Sequence, residues 1–122
     1  MQPCAAQSEL PFQDWRRVAR LHDLADDGTG RVLEIGAHRL AIFRIGESVR
    51  VLDDTCPHEG ASLGDGIVSG GDVTCPWHAW HFDLETGANT DGLDECVRVH
   101  RARVDADGWV EVELAQQVSR PA

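Results

Sequence analysis

Two short motifs, each with one cysteine and one histidine, constrain this chain more than any other feature. They are Cys56-Pro57-His58 and Cys75-Pro76-Trp77-His78. The sixteen residues between them, 59–74, include five glycines. Glycine allows positive φ and lets backbone N–H groups approach a bound group closely. Thiolate and imidazole are donors that both iron and zinc accept. The pattern therefore predicts that two loops hold one metal centre between them.

The donor set is compatible with two kinds of metal centre. A Rieske [2Fe–2S] centre takes two cysteines on one iron and two histidines on the other. A structural zinc module is the alternative, but zinc ligands are usually spaced as C-x2–4-C followed by H-x3–5-H. Here each motif mixes both donors, which favours the iron–sulfur centre. In that case Cys56 and Cys75 hold the inner iron, and His58 and His78 hold the outer, exposed iron.

Length and charge limit the possible partners. The chain has 122 residues, which suits one domain, and its formal net charge is −10. Such an acidic surface repels phosphate backbones and anionic lipids, so we expect neither nucleic acid nor a membrane surface as a partner. A basic protein face would be attracted, although solubility alone also explains an acidic surface. No apolar run approaches the 18 residues that a transmembrane helix needs.

The cysteines outside the motifs bear on the compartment. The opening residues 1–9 are polar and lack the apolar and basic regions of a signal peptide, so we expect a cytoplasmic protein. Cys4 and Cys96 could form a disulfide. We expect free thiols instead, because a reducing cytoplasm keeps cysteines reduced.

Short apolar segments separated by turn residues, with period-two alternation at 97–104 and 109–114, predict an all-β fold of antiparallel strands. The strand segments are 32–35, 40–45, 49–52, 97–104 and 109–114. Trp15 and Trp109 are expected in the core of this scaffold, and a single helical turn is expected near residues 22–26. The predicted organisation is a flexible tail at 1–13, one domain at 14–115 with a loop-rich metal-binding subdomain at about 54–92, and a tail at 116–122.

The motifs resemble a known family. Residues 56–63 and 75–83, followed by Thr86-Gly87, are similar to the two cluster-binding boxes of Rieske proteins. The resemblance implies the Rieske-type all-β fold, an antiparallel sandwich or barrel base that carries a cluster-binding subdomain. It also implies that Cys56, His58, Cys75 and His78 are the cluster ligands, and that Leu63 shields the cluster.

Departures from the membrane-anchored Rieske proteins of cytochrome bc complexes indicate a ferredoxin-type protein. Ala61 and Trp77 stand where those proteins have an extra pair of cysteines. Trp80 and Phe82 stand where they have a Ser and a Tyr, whose hydroxyls donate hydrogen bonds to sulfur. Without those hydrogen bonds the reduced cluster is less stabilised, which lowers the reduction potential.

Among ferredoxin-type proteins, the chain is most similar to the small subunit of assimilatory NAD(P)H nitrite reductase. The strings 64–71 and 80–87 carry this likeness, and they also resemble ferredoxins of aromatic-ring dioxygenases. Both resemblances imply a one-electron carrier that links a flavin-containing NAD(P)H-dependent reductase to a terminal reductase or oxygenase. The chain has neither a mononuclear iron triad nor a G-x-G-x-x-G nucleotide fingerprint, so we expect no catalysis by the chain alone.

Overall fold

The structure is a computed structural model that describes residues 15–36, 38–56, 60–76, 80–92 and 96–113. These residues contain nine strands, and every strand pair is antiparallel. The strands are β1 (Trp15–Arg20), β2 (Gly30–Ile35), β3 (His38–Ile45), β4 (Ser48–Asp53), β5 (Ile67–Ser69), β6 (Asp72–Thr74), β7 (His81–Asp83), β8 (Val99–Val104) and β9 (Trp109–Glu113). Two 3-10 helices, Leu21–Asp23 and Leu63–Asp65, complete the described elements. The predicted all-β class is confirmed.

The strands form two sheets of different size. The larger sheet has the order β1-β9-β8-β4-β3-β2, and the smaller has the order β5-β6-β7. Strand β3 is buried on both faces because its alternate residues enter different apolar clusters. Ala41 and Phe43 face the cluster that also contains both motif cysteines, whereas Leu40 and Ile42 face the second cluster. The larger sheet is thus the base on which the loops with the two cysteine motifs pack.

The metal-binding segment leaves and re-enters the base at adjacent points. Strand β4 ends at Asp53, and β8, which begins at Val99, pairs directly with it through Leu52. The backbone N–H of Asp53 also donates to the carbonyl of Arg98 at 2.9 Å. Residues 54–98 therefore form an insertion between two neighbouring strands, and the smaller sheet lies within it.

The prediction that Trp15 and Trp109 are core residues is wrong. Both are half-buried, and arginine side chains stack on their rings. The guanidinium carbon of Arg103 lies 3.9 Å from the Trp15 ring centroid, and that of Arg20 lies 4.7 Å from the Trp109 centroid. Because side chains alternate along a strand, the buried Val110 and Val112 leave Trp109 on the outer face of β9.

Two further sequence predictions can be compared with the structure. The helical turn expected near residues 22–26 is present as the 3-10 helix Leu21–Asp23. The free thiol expected at Cys96 is wrong, because Cys96 is disulfide-bonded and its bonding partner lies outside the described residues. Spacing along the sequence cannot reveal which cysteines the fold brings together. The predicted terminal tails also lie outside the described residues. No helix in the described ranges is long and apolar enough to cross a membrane.

Candidate metal centre

The first cysteine loop begins directly after β4 and closes on itself. The N–H of Cys56 donates to the carbonyl of Ala61 at 2.8 Å, and the N–H of Gly60 donates to the carbonyl of Cys56 at 2.9 Å. Thr55 and Ser62 form a β-bridge just outside these bonds. Gly60 has φ of +77°, a conformation that L-amino acids with side chains rarely adopt. These hydrogen bonds therefore hold the backbone of Cys56 against the return arm of the loop at Gly60 and Ala61.

The second cysteine loop is the turn of a β-hairpin. Strands β6 and β7 pair through Val73 with Phe82 and through Thr74 with His81. The N–H of Cys75 then donates to the carbonyl of Trp80 at 2.7 Å, which extends the hairpin by one more hydrogen bond. Cys75 thus lies at the base of a short loop that the smaller sheet holds in place.

The two cysteines share one apolar environment. Cys56 and Cys75 are each 1% exposed, and both belong to the buried cluster that contains Leu63 and Phe82. Neither of them forms a disulfide. Thiols shielded from water, one from each of two loops, suit an iron–sulfur cluster, which binds thiolates and whose potential depends on solvent exposure. The residues present therefore fit the cluster that the motifs predict.

The structure does not place the two predicted histidine ligands. His58 and His78 both lie outside the described residues. For this reason, the part of the chain that the structure describes contains no group of three or more His, Cys, Asp or Glu side chains able to hold a metal ion. Leu63 is fully buried in the cluster that contains both cysteines, as expected of a residue that shields the metal centre.

Trp80 and Phe82 stand at the two positions where, by the resemblance described above, bc-type Rieske proteins have hydroxyl groups. Phe82 is fully buried in the apolar cluster that contains both cysteines, and Trp80 packs against the same cluster. The centroids of their rings are 6.4 Å apart. Neither side chain has a hydroxyl, so neither can donate an O–H hydrogen bond to sulfur.

A histidine–aspartate pair lies next to the second loop. The backbone N–H of His81 donates to Oδ2 of Asp91 at 2.8 Å, and the His81 ring Nδ1 is 3.0 Å from Oδ1. The backbone hydrogen bond from His81 holds the pKa of the Asp91 carboxyl below its usual value. The pair ties the segment after β7 to the hairpin that carries Cys75.

Sequence reasoning missed a buried carboxylate next to the first loop. Asp54 is 1% exposed, and its side chain bonds to Arg39 on β3 and to Ser62 and Gly64 on the far side of the loop. A signal was present in the sequence, because an acidic residue directly follows the apolar strand and stands two positions before Cys56. Buried carboxylates are rare unless they are paired.

Comparisons with known proteins agree with this geometry. Residues 14–112 match the Rieske [2Fe-2S] domain. The chain is 32% identical over 108 residues to the anthranilate 1,2-dioxygenase ferredoxin subunit of Burkholderia cepacia, covering 88% of this chain and 98% of that protein.

Two solved structures share the fold. One is described as an NADH-dependent nitrite reductase small subunit from Mycobacterium tuberculosis. It aligns with a TM-score of 0.78 and 26% sequence identity, and the alignment covers 87% of this chain and 99% of the other chain. The ferredoxin of carbazole 1,9a-dioxygenase from Nocardioides aromaticivorans has a TM-score of 0.74 and 28% identity and covers 81% and 96%.

The chain belongs to the Rieske [2Fe-2S] family. It is an electron carrier of the Rieske ferredoxin type, and its cofactor is a [2Fe–2S] cluster. The predicted family, cofactor and carrier function are therefore confirmed.

Proposed function

We propose that this protein is a low-potential carrier of the nitrite reductase small-subunit type, with Cys56, His58, Cys75 and His78 as its cluster ligands. The observation that carries the proposal is the burial of Cys56 and Cys75 in one apolar cluster, at the bases of two separate loops. When bound, the cluster supplies a site that accepts and releases one electron. The chain itself shields the two sulfur ligands and fixes both loops.

The proposed potential is near the lower end of the Rieske range, roughly −150 mV. Trp80 and Phe82 give the sulfur atoms no hydroxyl donor. The net charge of −10 acts in the same direction, because it disfavours adding an electron. A midpoint well above zero in a redox titration would contradict both reasons.

A ferredoxin of a ring-hydroxylating dioxygenase is the second candidate function. It is favoured by the 32% identity to a dioxygenase ferredoxin subunit over nearly the full length of both proteins. The structural similarity to a nitrite reductase small subunit, with a TM-score of 0.78, favours the first. Copurification separates them: a fixed reductase subunit is isolated with a large partner, whereas a ferredoxin is isolated as a free carrier.

The proposed partners are a flavin-containing NAD(P)H-dependent reductase and a terminal reductase or oxygenase. A related ferredoxin, 31% identical with a TM-score of 0.71, forms a complex with the oxygenase of carbazole 1,9a-dioxygenase. In this chain, residues 54–97 contain nine of the 21 acidic residues and none of the 11 arginines. The metal-binding segment therefore carries nearly all of the net negative charge, and we propose that the partner presents a basic face to it.

Salt dependence tests the charge of the docking face. Raising the ionic strength from about 0.01 M to about 0.15 M shortens the Debye length from about 30 Å to about 8 Å. The rate constant for electron transfer from the reduced protein to cytochrome c, used as a basic acceptor, should fall over this range. A rate constant that stays constant or rises would contradict the proposed basic face.

We also propose that the folded domain spans residues 14–115 and works in the cytoplasm. The family match over residues 14–112 supports these bounds. The NAD(P)H that would drive the reductase is generated in the cytoplasm. Recovery of the protein outside the cytoplasmic fraction of lysed cells would contradict this location.

Spectroscopy tests the ligand assignment. Protein purified without oxygen should contain iron and sulfide, and after reduction with dithionite it should give a Rieske-type EPR spectrum. Replacing His58 or His78 by Cys should change that spectrum or prevent cluster assembly. An unchanged spectrum would exclude the substituted histidine as a ligand, and a colourless protein that contains zinc would exclude the redox function.

A further inference from the structure

We propose that Asp54, together with Arg39, is a positioning residue that holds the first cysteine loop and adjusts the reduction potential of the cluster. This inference rests on the proposed ligand role of Cys56, which lies two residues along the chain. Asp54 is not one of the proposed cluster ligands. Its proposed role is to hold the base of the loop that carries Cys56.

The Asp54 carboxylate joins three parts of the fold. Its Oδ1 accepts hydrogen bonds from the Gly64 backbone N–H at 2.7 Å and from the Ser62 hydroxyl at 2.9 Å. Its Oδ2 accepts a hydrogen bond from Nε of Arg39 at 2.9 Å. Because Ser62 and Gly64 lie on the return arm of the loop and Arg39 lies on β3, one carboxylate fixes the loop to the base.

The backbone of Asp54 also links β3 to the return arm of the loop. Its N–H donates to the carbonyl of Arg39 at 2.9 Å, and its carbonyl accepts the N–H of Leu63 at 2.7 Å. Leu63 packs in the same apolar cluster as Cys56. The position of the shielding leucine is therefore coupled to Asp54 through two hydrogen bonds on adjacent residues, at Leu63 and Gly64.

Close packing at Gly64 shows that this contact is specific. A Cβ at Gly64 would lie 2.5 Å from Cγ2 of Val32 and 3.1 Å from Oδ1 of Asp54. The amide of residue 64 can reach the carboxylate only because no side chain intervenes. Glycine at position 64 thus allows the Asp54 carboxylate to lie against the loop backbone.

The negative charge of Asp54 is balanced by the Arg39 side chain. Asp54 is almost fully buried, whereas the Arg39 side chain is 50% exposed. Arg39 also contacts the exposed Glu34 at 2.8 Å. The hydrogen bond that Arg39 donates to Asp54 raises the pKa of Arg39, so the arginine stays protonated. A buried carboxylate without its cation is strongly unfavourable, which makes the pair a unit whose two charges act together.

Removing one charge at a time should therefore shift the potential in opposite directions. Asp54→Asn leaves the positive guanidinium of Arg39 without its carboxylate partner at the base of the loop, which favours the reduced form and raises the midpoint. Arg39→Gln leaves the negative carboxylate, which disfavours the added electron and lowers the midpoint. A purely structural role would move both midpoints in the same direction or leave both unchanged.

The experiment measures midpoint potential and EPR spectrum on the holoprotein for Asp54→Asn and Arg39→Gln. Glu34→Gln is the matched control, because it removes a carboxylate from the exposed side of the same arginine. We expect a higher midpoint for Asp54→Asn, a lower midpoint for Arg39→Gln and no measurable shift for Glu34→Gln. Shifts of equal sign, or an Asp54→Asn midpoint equal to that of Glu34→Gln, would overturn the proposal.

A second variant keeps the test decisive if Asp54→Asn does not assemble a cluster. Ser62→Ala removes one hydrogen bond to the carboxylate and changes no charge. We expect about tenfold faster loss of the cluster to a chelator, which corresponds to losing one hydrogen bond to a charged group. If cluster loss is unchanged in Ser62→Ala and Arg39→Gln does not lower the midpoint, the proposal is wrong. Wild-type protein without an iron–sulfur spectrum would instead contradict the proposed function.

Discussion

Phe82 offers a direct test of why the potential should be low. Its ring is fully buried in the apolar cluster that contains Cys56 and Cys75. Phe82→Tyr adds a single hydroxyl to this side chain and leaves its net charge unchanged. If the hydroxyl donates to a ligand sulfur, it stabilises the reduced cluster more than the oxidised one, because the reduced cluster is more negative.

The expected shift follows from hydrogen-bond energies. A typical hydrogen bond contributes about 1 kcal/mol, and a charge-assisted one is roughly twice as strong. The added electron should therefore strengthen the new bond by about 1 kcal/mol. For a one-electron couple a tenfold change in the equilibrium constant, about 1.4 kcal/mol, corresponds to about 59 mV. We expect the midpoint of Phe82→Tyr to rise by about 40 mV.

Phe43→Tyr is the matched control. Phe43 is 1% exposed and belongs to the same apolar cluster, but it lies on β3 of the base. Adding a hydroxyl to a packed core costs about 1–3 kcal/mol, so both variants should unfold at a lower temperature. Only Phe82→Tyr should change the midpoint in a redox titration followed by EPR. Equal midpoints for the two variants would refute the hydrogen-bond explanation of the low potential.

Two further predictions concern stability. Gly87→Ala should prevent stable folding, because Gly87 has φ of +78° and a Cβ there would lie 1.9 Å from the carbonyl oxygen of Val97. Gly46→Ala, at φ of +64° with no atom within 4 Å of the Cβ, should cost only about 1–2 kcal/mol in the same thermal unfolding assay. The backbone N–H of Trp109 is the main cause that lowers the pKa of the Asp105 carboxyl in the folded protein. The carboxylate therefore stabilises the fold at pH values above its unfolded pKa of about 4. This stabilisation is lost as the pH falls through the folded pKa. Asp105→Asn should flatten the fall of the urea midpoint below about pH 4, and an unchanged pH dependence would contradict this assignment.

The sequence was sufficient for the parts of the fold that have a strong local pattern. Short apolar segments bounded by turn residues located β2, β3 and β4, period-two alternation located β8 and β9, and the spacing of Cys56 and Cys75 located the two loops. The three short strands β5–β7 have three residues each, too few to show a period. They are specified by the glycine-rich turns and by packing on the base, which single-residue preferences do not report.

The parts that sequence reasoning missed depend on contacts between distant residues. Asp54 becomes part of the site only because β3 brings Arg39 beside it, fifteen positions earlier in the chain. Trp109 has the apolar character of a core residue, but strand register places it on the outer face, where arginines cover its ring. Register and long-range pairing are properties of the folded chain, so residue type alone could not predict either one.

The short gap between the end of β4 and the start of β8 has a consequence for how such a protein can change. Since Leu52 pairs with Val99 and Asp53 bonds to Arg98, the strand pairing of the base continues directly beneath the insertion. Insertions are tolerated where the two ends meet. A loop of another length grafted at this junction would keep this strand pairing only if it also covered Ala41, Phe43 and Leu52, which the present insertion buries.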